Sequence, residues 1–349
     1  MIKPLILVSN RIKSVEDYRV EVAGDLCPRL DYMEIADRLS ADLLGYRRNG
    51  TAWSAGLSKF EHRFRLDISE AYDALPKLPQ RSAILSTSER AAIPLAIYLT
   101  LTQQNMPHVV IAHHLTSSNK TRLFRICQLH RSLAHIICVS QAQADFAITQ
   151  LGVPSSQVDF IYDKVDQRFY RPLKGEIQEF VLAVGQEQRD YATLVKALSG
   201  TGINLVIIAS SPWSSFELDF SQLRDVTVRS HISYSNLRRL YASARLVVVP
   251  LFDVDYAAGS NTVLESMAMG KAIIASRTAG IRDYVVDDET GINVTPGDPG
   301  SLREAILSLW DNPRKMDRLG TNARQAVLEC MSIDHYVDRV VQVMCDVMR

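Results

Sequence analysis

The stretch RLVVVPLFDVDYAAGSNTVLESMAMGKAIIAS, residues 245–276, constrains the fold of this chain more than any other. An apolar, β-branched run at 246–249 predicts a buried strand that ends at Pro250. Apolar residues at helical spacing from Val263 predict a helix, and a second apolar run at 272–275 predicts another strand. This order of strand, loop, helix and strand indicates a doubly wound parallel sheet, in which ligands bind at the carboxyl ends of the strands.

The loop before that helix contains the sequence Gly259-Ser260-Asn261-Thr262. Gly259 lets a ligand approach the backbone closely, and the unpaired N–H groups at a helix start favour a phosphate. Glu265, one turn into the helix, can accept hydrogen bonds from the hydroxyl groups of a sugar. A phosphate site beside a ribose site indicates a nucleotide. Most strand-glycine-helix units bind no phosphate, however, and Glu265 can equally be a solvated helix residue. The apolar neighbours of Glu265 argue against the solvated position, because a carboxylate among them needs a partner or a ligand.

The segment TVLESMAMGKAIIASRTAGIRDYVVDDETGINVTPGD resembles the donor-nucleotide segment of the family 4 glycosyltransferases, which have the GT-B fold. The family pattern contains two glutamates separated by seven residues. Glu265 matches the second glutamate, which by this resemblance holds the ribose of a sugar nucleotide, and residues 296–298 match the end of the pattern. The first glutamate falls on Ala257, so the chain resembles a divergent subgroup that lacks it.

The resemblance implies an α/β protein with two Rossmann-like, doubly wound parallel-sheet domains that face a cleft. The expected parts are an acceptor domain over 1–172, a sugar-nucleotide domain over 173–332, and a helix over 333–349 that crosses back to the first domain. The implied reaction moves a hexose from a UDP- or GDP-sugar to a hydroxyl acceptor with retention of configuration, without a metal or a cofactor. The acceptor can be a glycan, a lipid or a small molecule.

Length and composition agree with a two-domain globular protein. The chain has 349 residues, which is too many for one ordinary hydrophobic core, and 47% of them are hydrophobic. Its formal net charge of zero gives no reason to expect a nucleic-acid partner. Five scattered cysteines without a CxxC indicate reduced thiols, and the absence of a signal peptide or an apolar span predicts a cytoplasmic protein.

Strands and helices alternate along the first half of the chain, which favours a second parallel sheet. Polar side chains follow two of its predicted strands: Glu89 after the strand at 82–86, and His113 and His114 after the strand at 109–112. Each of the three can simply be a hydrogen-bonded loop residue, and this interpretation is preferred for Glu89. For the histidines the resemblance implies a catalytic position against the donor sugar, with His113 the better match and His114 the second.

The turn after the predicted strand at 180–184 reads Gly185-Gln186-Glu187-Gln188-Arg189. In the family this turn carries an arginine after the glycine and a lysine a few residues later, and both neutralise the diphosphate. Gln186 stands at the arginine position, which leaves Arg189 as the candidate for the pyrophosphate. An exposed loop arginine without a ligand is the alternative.

Further departures from the family pattern occur between the two predicted domains and in the loop that precedes Gly259. Asp163 and Lys164 replace an asparagine and a glycine where the chain passes between the domains. Asp253 and Asp255 form a DxD sequence that could hold a divalent metal, although two carboxylates are few ligands. One of these two aspartates could instead replace the glutamate missing at Ala257.

Residues 120–131, KTRLFRICQLHR, predict a basic amphipathic helix. A solvated face over an apolar stripe is the preferred interpretation, and peripheral contact with the inner face of a membrane is the alternative. A helix is also predicted over 53–65, and His231 is interpreted as structural. The departures from the family pattern leave a second hypothesis open, in which a catalytically inactive GT-B homologue binds nucleotides or partners.

Overall fold

A computed structural model describes residues 2–45, 61, 63–209, 226–230 and 232–349. The helix predicted over 53–65 falls largely outside these residues, and so does His231. The chain divides into two compact units. The first comprises the described parts of 1–19, 30–161 and 335–349, and the second those of 20–29 and 162–334.

The first unit contains a parallel sheet that the apolar, β-branched runs of the first half produce. Its strands are β1 (Lys3–Val8), β2 (Asp42–Gly45), β3 (Arg81–Ser86), β4 (His108–Ala112), β5 (His135–Cys138) and β6 (Val158–Phe160). All of its strand pairs are parallel, and the strand order is β2-β1-β3-β4-β5-β6. All five residues of β4 are buried, as expected for a strand covered on both faces.

Helices connect these strands in the manner of a doubly wound fold. They are α1 (Val15–Ala23), α2 (Asp31–Leu39), α3 (Ile68–Ala74), α4 (Glu89–Thr102), α5 (Ser118–Ile126) and α6 (Gln141–Thr149). Short 3-10 helices occupy Leu75–Gln80, Leu129–Arg131 and Ser155–Gln157. The predicted single helix over 120–131 is therefore wrong in its extent: Gln128 adopts a left-handed backbone conformation, with φ +49°, which ends the α-helix.

The second unit contains another parallel sheet of the same kind. Its strands are β7 (Phe180–Val184), β8 (Asn204–Ile208), β9 (Val226–Arg229), β10 (Leu246–Val249), β11 (Ile273–Ser276) and β12 (Ile292–Val294), in the order β12-β11-β10-β7-β8-β9. Strand β7 lies between β8 and β10, so the direction of winding reverses at β7 and β10. Ligands of open α/β sheets bind at such a switch point, beyond the carboxyl ends of the strands.

The helices of the second unit include the one predicted after Gly259. They are α7 (Tyr191–Leu198), α8 (Tyr234–Ser243), α9 (Ser260–Ala268), α10 (Pro299–Trp310) and α11 (Pro313–Ala326). A π-helical turn at Val327–Met331 follows, and the last helix, α12 (Ile333–Val347), belongs to the first unit from His335 onward. The two parallel-sheet units confirm the predicted α/β fold class.

Helix α9 is fixed in place by burial and by a close backbone contact at its end. Val263, Leu264 and Met267 are fully buried against the sheet. The turn at Gly270 meets Gly320 of α11 so closely that a Cβ on Gly320 would lie 2.2 Å from the Gly270 carbonyl oxygen. Burial thus holds α9 against the sheet, and the contact with Gly320 fixes the position of its carboxyl end.

We expect Gly320→Ala to lower the free energy of unfolding by about 2 kcal/mol or more, since the added methyl group clashes with a backbone oxygen. Helix propensity alone predicts the opposite sign, a gain of about 1 kcal/mol. Gly175→Ala is the matched control, because a Cβ there meets nothing within 4 Å and its effect should stay within about 1 kcal/mol. Urea unfolding followed by circular dichroism measures both. A Gly320→Ala protein as stable as the control would contradict this packing.

Candidate functional site

Arg189 joins the turn after β7 to the start of α9. Its Nε donates to the Val184 carbonyl oxygen at 2.9 Å, and its Nη1 donates to the Glu187 carbonyl oxygen at 2.7 Å. Its Nη2 donates to Thr262 Oγ1 at 3.0 Å. The side chain is buried, and this burial lowers the pKa of Arg189 below its ordinary value. The charge predicted at this turn is present, but the guanidinium lies beneath the surface of the loop.

Two glycines allow the guanidinium to occupy this position. Gly185 has φ +108°, and a Cβ on it would lie 2.3 Å from Arg189 Nη2. Gly259 has φ +91°, and a Cβ on it would lie 3.3 Å from Arg189 Nη1. Both positions therefore need glycine, for the left-handed backbone and for the space.

The first turn of α9 presents main-chain donors. Within the described residues, the N–H groups of Asn261 and Thr262 have no hydrogen-bond partner, and no side chain caps the helix at Gly259. The Ser260 hydroxyl donates to Asp163 Oδ2 at 2.8 Å, and the Thr262 hydroxyl donates to the Val184 carbonyl oxygen at 3.2 Å. Both hydroxyl groups are thus engaged inside the protein, so the backbone N–H groups are what this turn offers to an anion.

Glu265 follows one turn later on α9. The Tyr241 hydroxyl of α8 donates to Glu265 Oε2 at 2.8 Å. Burial raises the pKa of Glu265 to about 7, although the Tyr241 and Tyr170 hydroxyls and the charge of Arg189 oppose this rise. The expectation that this carboxylate needs a partner is met by Tyr241.

The loop between β10 and α9 carries Asp253 and Asp255, and both are exposed. The Tyr256 hydroxyl donates to Glu187 Oε1 at 2.8 Å, which ties this loop to the Arg189 turn. The described part of the chain contains no group of three or more His, Cys, Asp or Glu side chains arranged to hold a metal ion. The replacement of the glutamate missing at Ala257 by one of these aspartates stays a prediction.

Asp163 and Lys164, which the sequence marked only as departures from the family pattern, also lie at this site. Asp163 is buried, and beside its bond to Ser260 its main-chain N–H donates to the Tyr284 hydroxyl oxygen at 2.9 Å. The Lys164 ammonium lies 3.1 Å from Asp163 Oδ1. Their only signal in the sequence was the replacement of an asparagine and a glycine by an acid and a base. Nothing in the sequence paired Tyr241 with Glu265.

In the first unit, the polar residues predicted at the strand ends form a buried cluster. Lys120 Nζ lies 2.6 Å from Glu89 Oε1, and the His113 N–H donates to Glu89 Oε2 at 3.0 Å. The His113 ring nitrogen Nε2 lies 3.3 Å from the Thr87 carbonyl oxygen, and Lys120 Nζ donates to the His114 carbonyl oxygen at 3.3 Å. Both histidines are half-buried after β4, and Glu89 is hydrogen-bonded at the start of α4, so its structural role stays the preferred prediction.

This cluster changes the interpretation of the basic helix. Lys120 is buried by its pair with Glu89, so its placement on an exposed cationic face was wrong. Arg125 donates to the Gln150 carbonyl oxygen at 2.9 and 2.7 Å. Among the described residues, no helix is long and apolar enough to cross a bilayer. Contact of 120–131 with a membrane surface stays a prediction.

Solved structures of low sequence identity share this two-domain fold. Sucrose-phosphate synthase from Thermosynechococcus elongatus superposes with a TM-score of 0.75 at 16% identity, over 99% of this chain and 98% of that one. HepE from Anabaena, solved in complex with UDP-glucose, superposes with a TM-score of 0.72 at 14% identity, over 98% of this chain and 99% of that one. The fold is GT-B, as predicted.

The sequence comparisons point to the same group of proteins. Residues 182–312, which include the Arg189 turn and α9, match the family model described as Glycosyl transferases group 1. The MMP alpha-(1->4)-mannosyltransferase of Mycolicibacterium hassiacum is 28% identical over 223 residues, which are 58% of this chain and 51% of that protein. The match thus spans about half the length of this relative. The resemblance to the GT-B glycosyltransferases is confirmed.

The raised pKa of Glu265 predicts a pH dependence of stability. Because the folded protein holds this proton more tightly than the unfolded chain does, stability from this group is lost as the pH rises from about 4.5 through about 7. The free energy of unfolding of the wild type should therefore fall between about pH 5 and pH 8, and we expect Glu265→Gln to reduce this loss by about 1–3 kcal/mol. Glu304→Gln, at an exposed position of α10, should leave the loss unchanged. Parallel stability–pH curves for wild type and Glu265→Gln would refute the assignment.

The Glu89–Lys120 pair gives a second prediction. Burial disfavours the ionised form of Glu89, but the interactions with Lys120 and His113 together outweigh it and lower the pKa of this carboxyl. Lys120→Met should therefore lower the free energy of unfolding by about 3 kcal/mol, because it leaves a buried charge uncompensated. Arg122→Met, on the exposed side of α5, should change it by less than about 0.5 kcal/mol. Urea denaturation of the two variants measures the difference, and equal midpoints would contradict the pairing.

Proposed function

We propose that this protein is a glycosyltransferase that moves a hexose from a UDP- or GDP-sugar to a hydroxyl acceptor. The observation that carries the proposal is the pair of N–H groups at Asn261 and Thr262, which have no partner in the described part of the chain, with the Glu265 carboxyl one turn behind them. This arrangement lies inside the segment that matches the glycosyl transferases group 1 family. The names of the similar proteins support the class: one is a mannosyltransferase, and another was solved with UDP-glucose.

The donor's diphosphate would bind at the start of α9. Its oxygens would accept hydrogen bonds from the two N–H groups, with the positive end of the helix dipole behind them. Arg189 would act from beneath this turn, because its nitrogen atoms already bond Val184, Glu187 and Thr262 and its charge is close to the helix start. Glu265 would accept hydrogen bonds from the ribose hydroxyl groups, and when ionised it accepts with both of its oxygens.

The chemical step would gain its rate from stabilisation of the leaving diphosphate. The bond between the anomeric carbon and the phosphate oxygen breaks, and that oxygen takes the electron pair. The N–H groups of α9 and the charge of Arg189 stabilise the developing negative charge, so the step needs no metal ion in this proposal. The acceptor hydroxyl oxygen bonds to the anomeric carbon from the face that the diphosphate leaves, which retains the configuration, and its proton passes to the departing diphosphate oxygen. His113, or His114, is proposed to contact the donor sugar.

A second candidate is a catalytically inactive homologue that binds a nucleotide. Two specific observations favour it: Ala257 stands at the position of the first glutamate, and Gln186 at that of a diphosphate-binding arginine. Such a protein would keep the contacts of α9 and Glu265 but would turn over no donor. The two candidates therefore differ in catalysis and agree in binding.

Thermal shift and calorimetry with UDP, GDP and their sugars test the proposal, since a ligand of the native state raises the melting temperature. Glu265→Ala should weaken donor binding by about 10- to 100-fold, because hydrogen bonds to a charged group are lost. His113→Ala should leave donor affinity within about threefold and slow turnover by about 100-fold. Equal effects of the two variants on affinity would contradict the assigned roles. Tight binding with no turnover or hydrolysis of any donor would favour the inactive homologue.

A further inference from the structure

The turn after β7 supplies too little positive charge to match a diphosphate bound at the start of α9. A nucleoside diphosphate carries two or three negative charges, and its binding site needs cations or donors to match them. Gln186 supplies no charge, and three nitrogen atoms of Arg189 are engaged with the protein. A second cation beside this turn would strengthen binding of the diphosphate.

Asp163 and Lys164 bring such a cation to the helix start from a different part of the chain. The Asp163 carboxylate accepts a hydrogen bond from Ser260, the first residue of α9, and its other oxygen lies 3.1 Å from the Lys164 ammonium. The carboxylate is buried, whereas the Lys164 side chain is 21% exposed. One carboxylate group therefore separates the lysine from the first turn of α9.

We propose that Lys164 is a donor-binding residue that contacts the diphosphate, and that Asp163 is its counter-ion in the free protein. The inference rests on the proposed function and names a further residue of that site. The flexible stem of a lysine lets its ammonium move from the Asp163 carboxylate to an anion at the N–H groups of Asn261 and Thr262. Asp163 remains bound to Ser260, where its negative charge opposes the diphosphate.

The two adjacent residues must then affect binding in opposite directions. Loss of the Lys164 charge removes an attraction, and loss of the Asp163 charge removes a repulsion. A pair that serves only to hold the loop would behave differently, since removal of either partner would disturb the same contact. The sign of the change in affinity therefore separates a binding role from a structural one.

Calorimetric titration of the full chain with UDP and with GDP tests this. We expect Lys164→Gln to raise the dissociation constant about tenfold and Asp163→Asn to lower it about three- to tenfold. Lys164→Arg should restore affinity to within about threefold, because it restores the charge. Lys174→Gln, at an exposed position of the same unit, is the matched control and should change affinity less than about twofold.

The Lys164 variants keep the test valid if Asp163→Asn does not fold, because Lys164 is the more exposed partner. A dissociation constant unchanged in Lys164→Gln would overturn the inference and leave the proposed function intact. Weaker binding in both Lys164→Gln and Asp163→Asn would also overturn it, in favour of a structural pair. Failure of the wild-type protein to bind UDP or GDP would instead overturn the proposed function.

Discussion

The position of the Arg189 guanidinium is the constraint on which the rest of the site depends. It lies against the backbones of Gly185 and Gly259, and it ties the end of β7 to α9 through Thr262. An arginine keeps its charge even where it is buried, so a positive charge is fixed next to the helix start. The left-handed backbone at both glycines and the free N–H groups of the first turn are arranged around this one side chain.

A buried charge of this kind needs neighbours of the opposite sign, and the second unit supplies them. Glu265 lies on α9, and Asp163 accepts a hydrogen bond from the first residue of this helix. Lys164 forms an ion pair with Asp163. Asp163 balances one of the two positive charges of this region, and Glu265 balances the other when it is ionised. An anion at the N–H groups would change that balance, which is why the proposed binding depends on the ionisation of Glu265 and on the Asp163–Lys164 pair.

The sequence predicted the parts of this site whose signals are local. The apolar run before Pro250, the glycine at 259 and the helical spacing after it lie within one short stretch, and the structure places each as expected. The burial of Arg189 could not be predicted, because it depends on the approach of β7 to α9 from a distant part of the chain. Lys120 was assigned to an exposed face for the same reason, since its partner Glu89 lies on another helix.

The central claim is that the start of α9 binds the diphosphate of a nucleotide whose ribose contacts Glu265. A crystal structure of the protein with bound UDP or GDP tests this most directly. We expect the phosphate oxygens within hydrogen-bond distance of the N–H groups of Asn261 and Thr262, and both ribose hydroxyl groups near the Glu265 carboxylate. A nucleotide bound elsewhere, with this turn of α9 empty or covered by side chains, would contradict the claim.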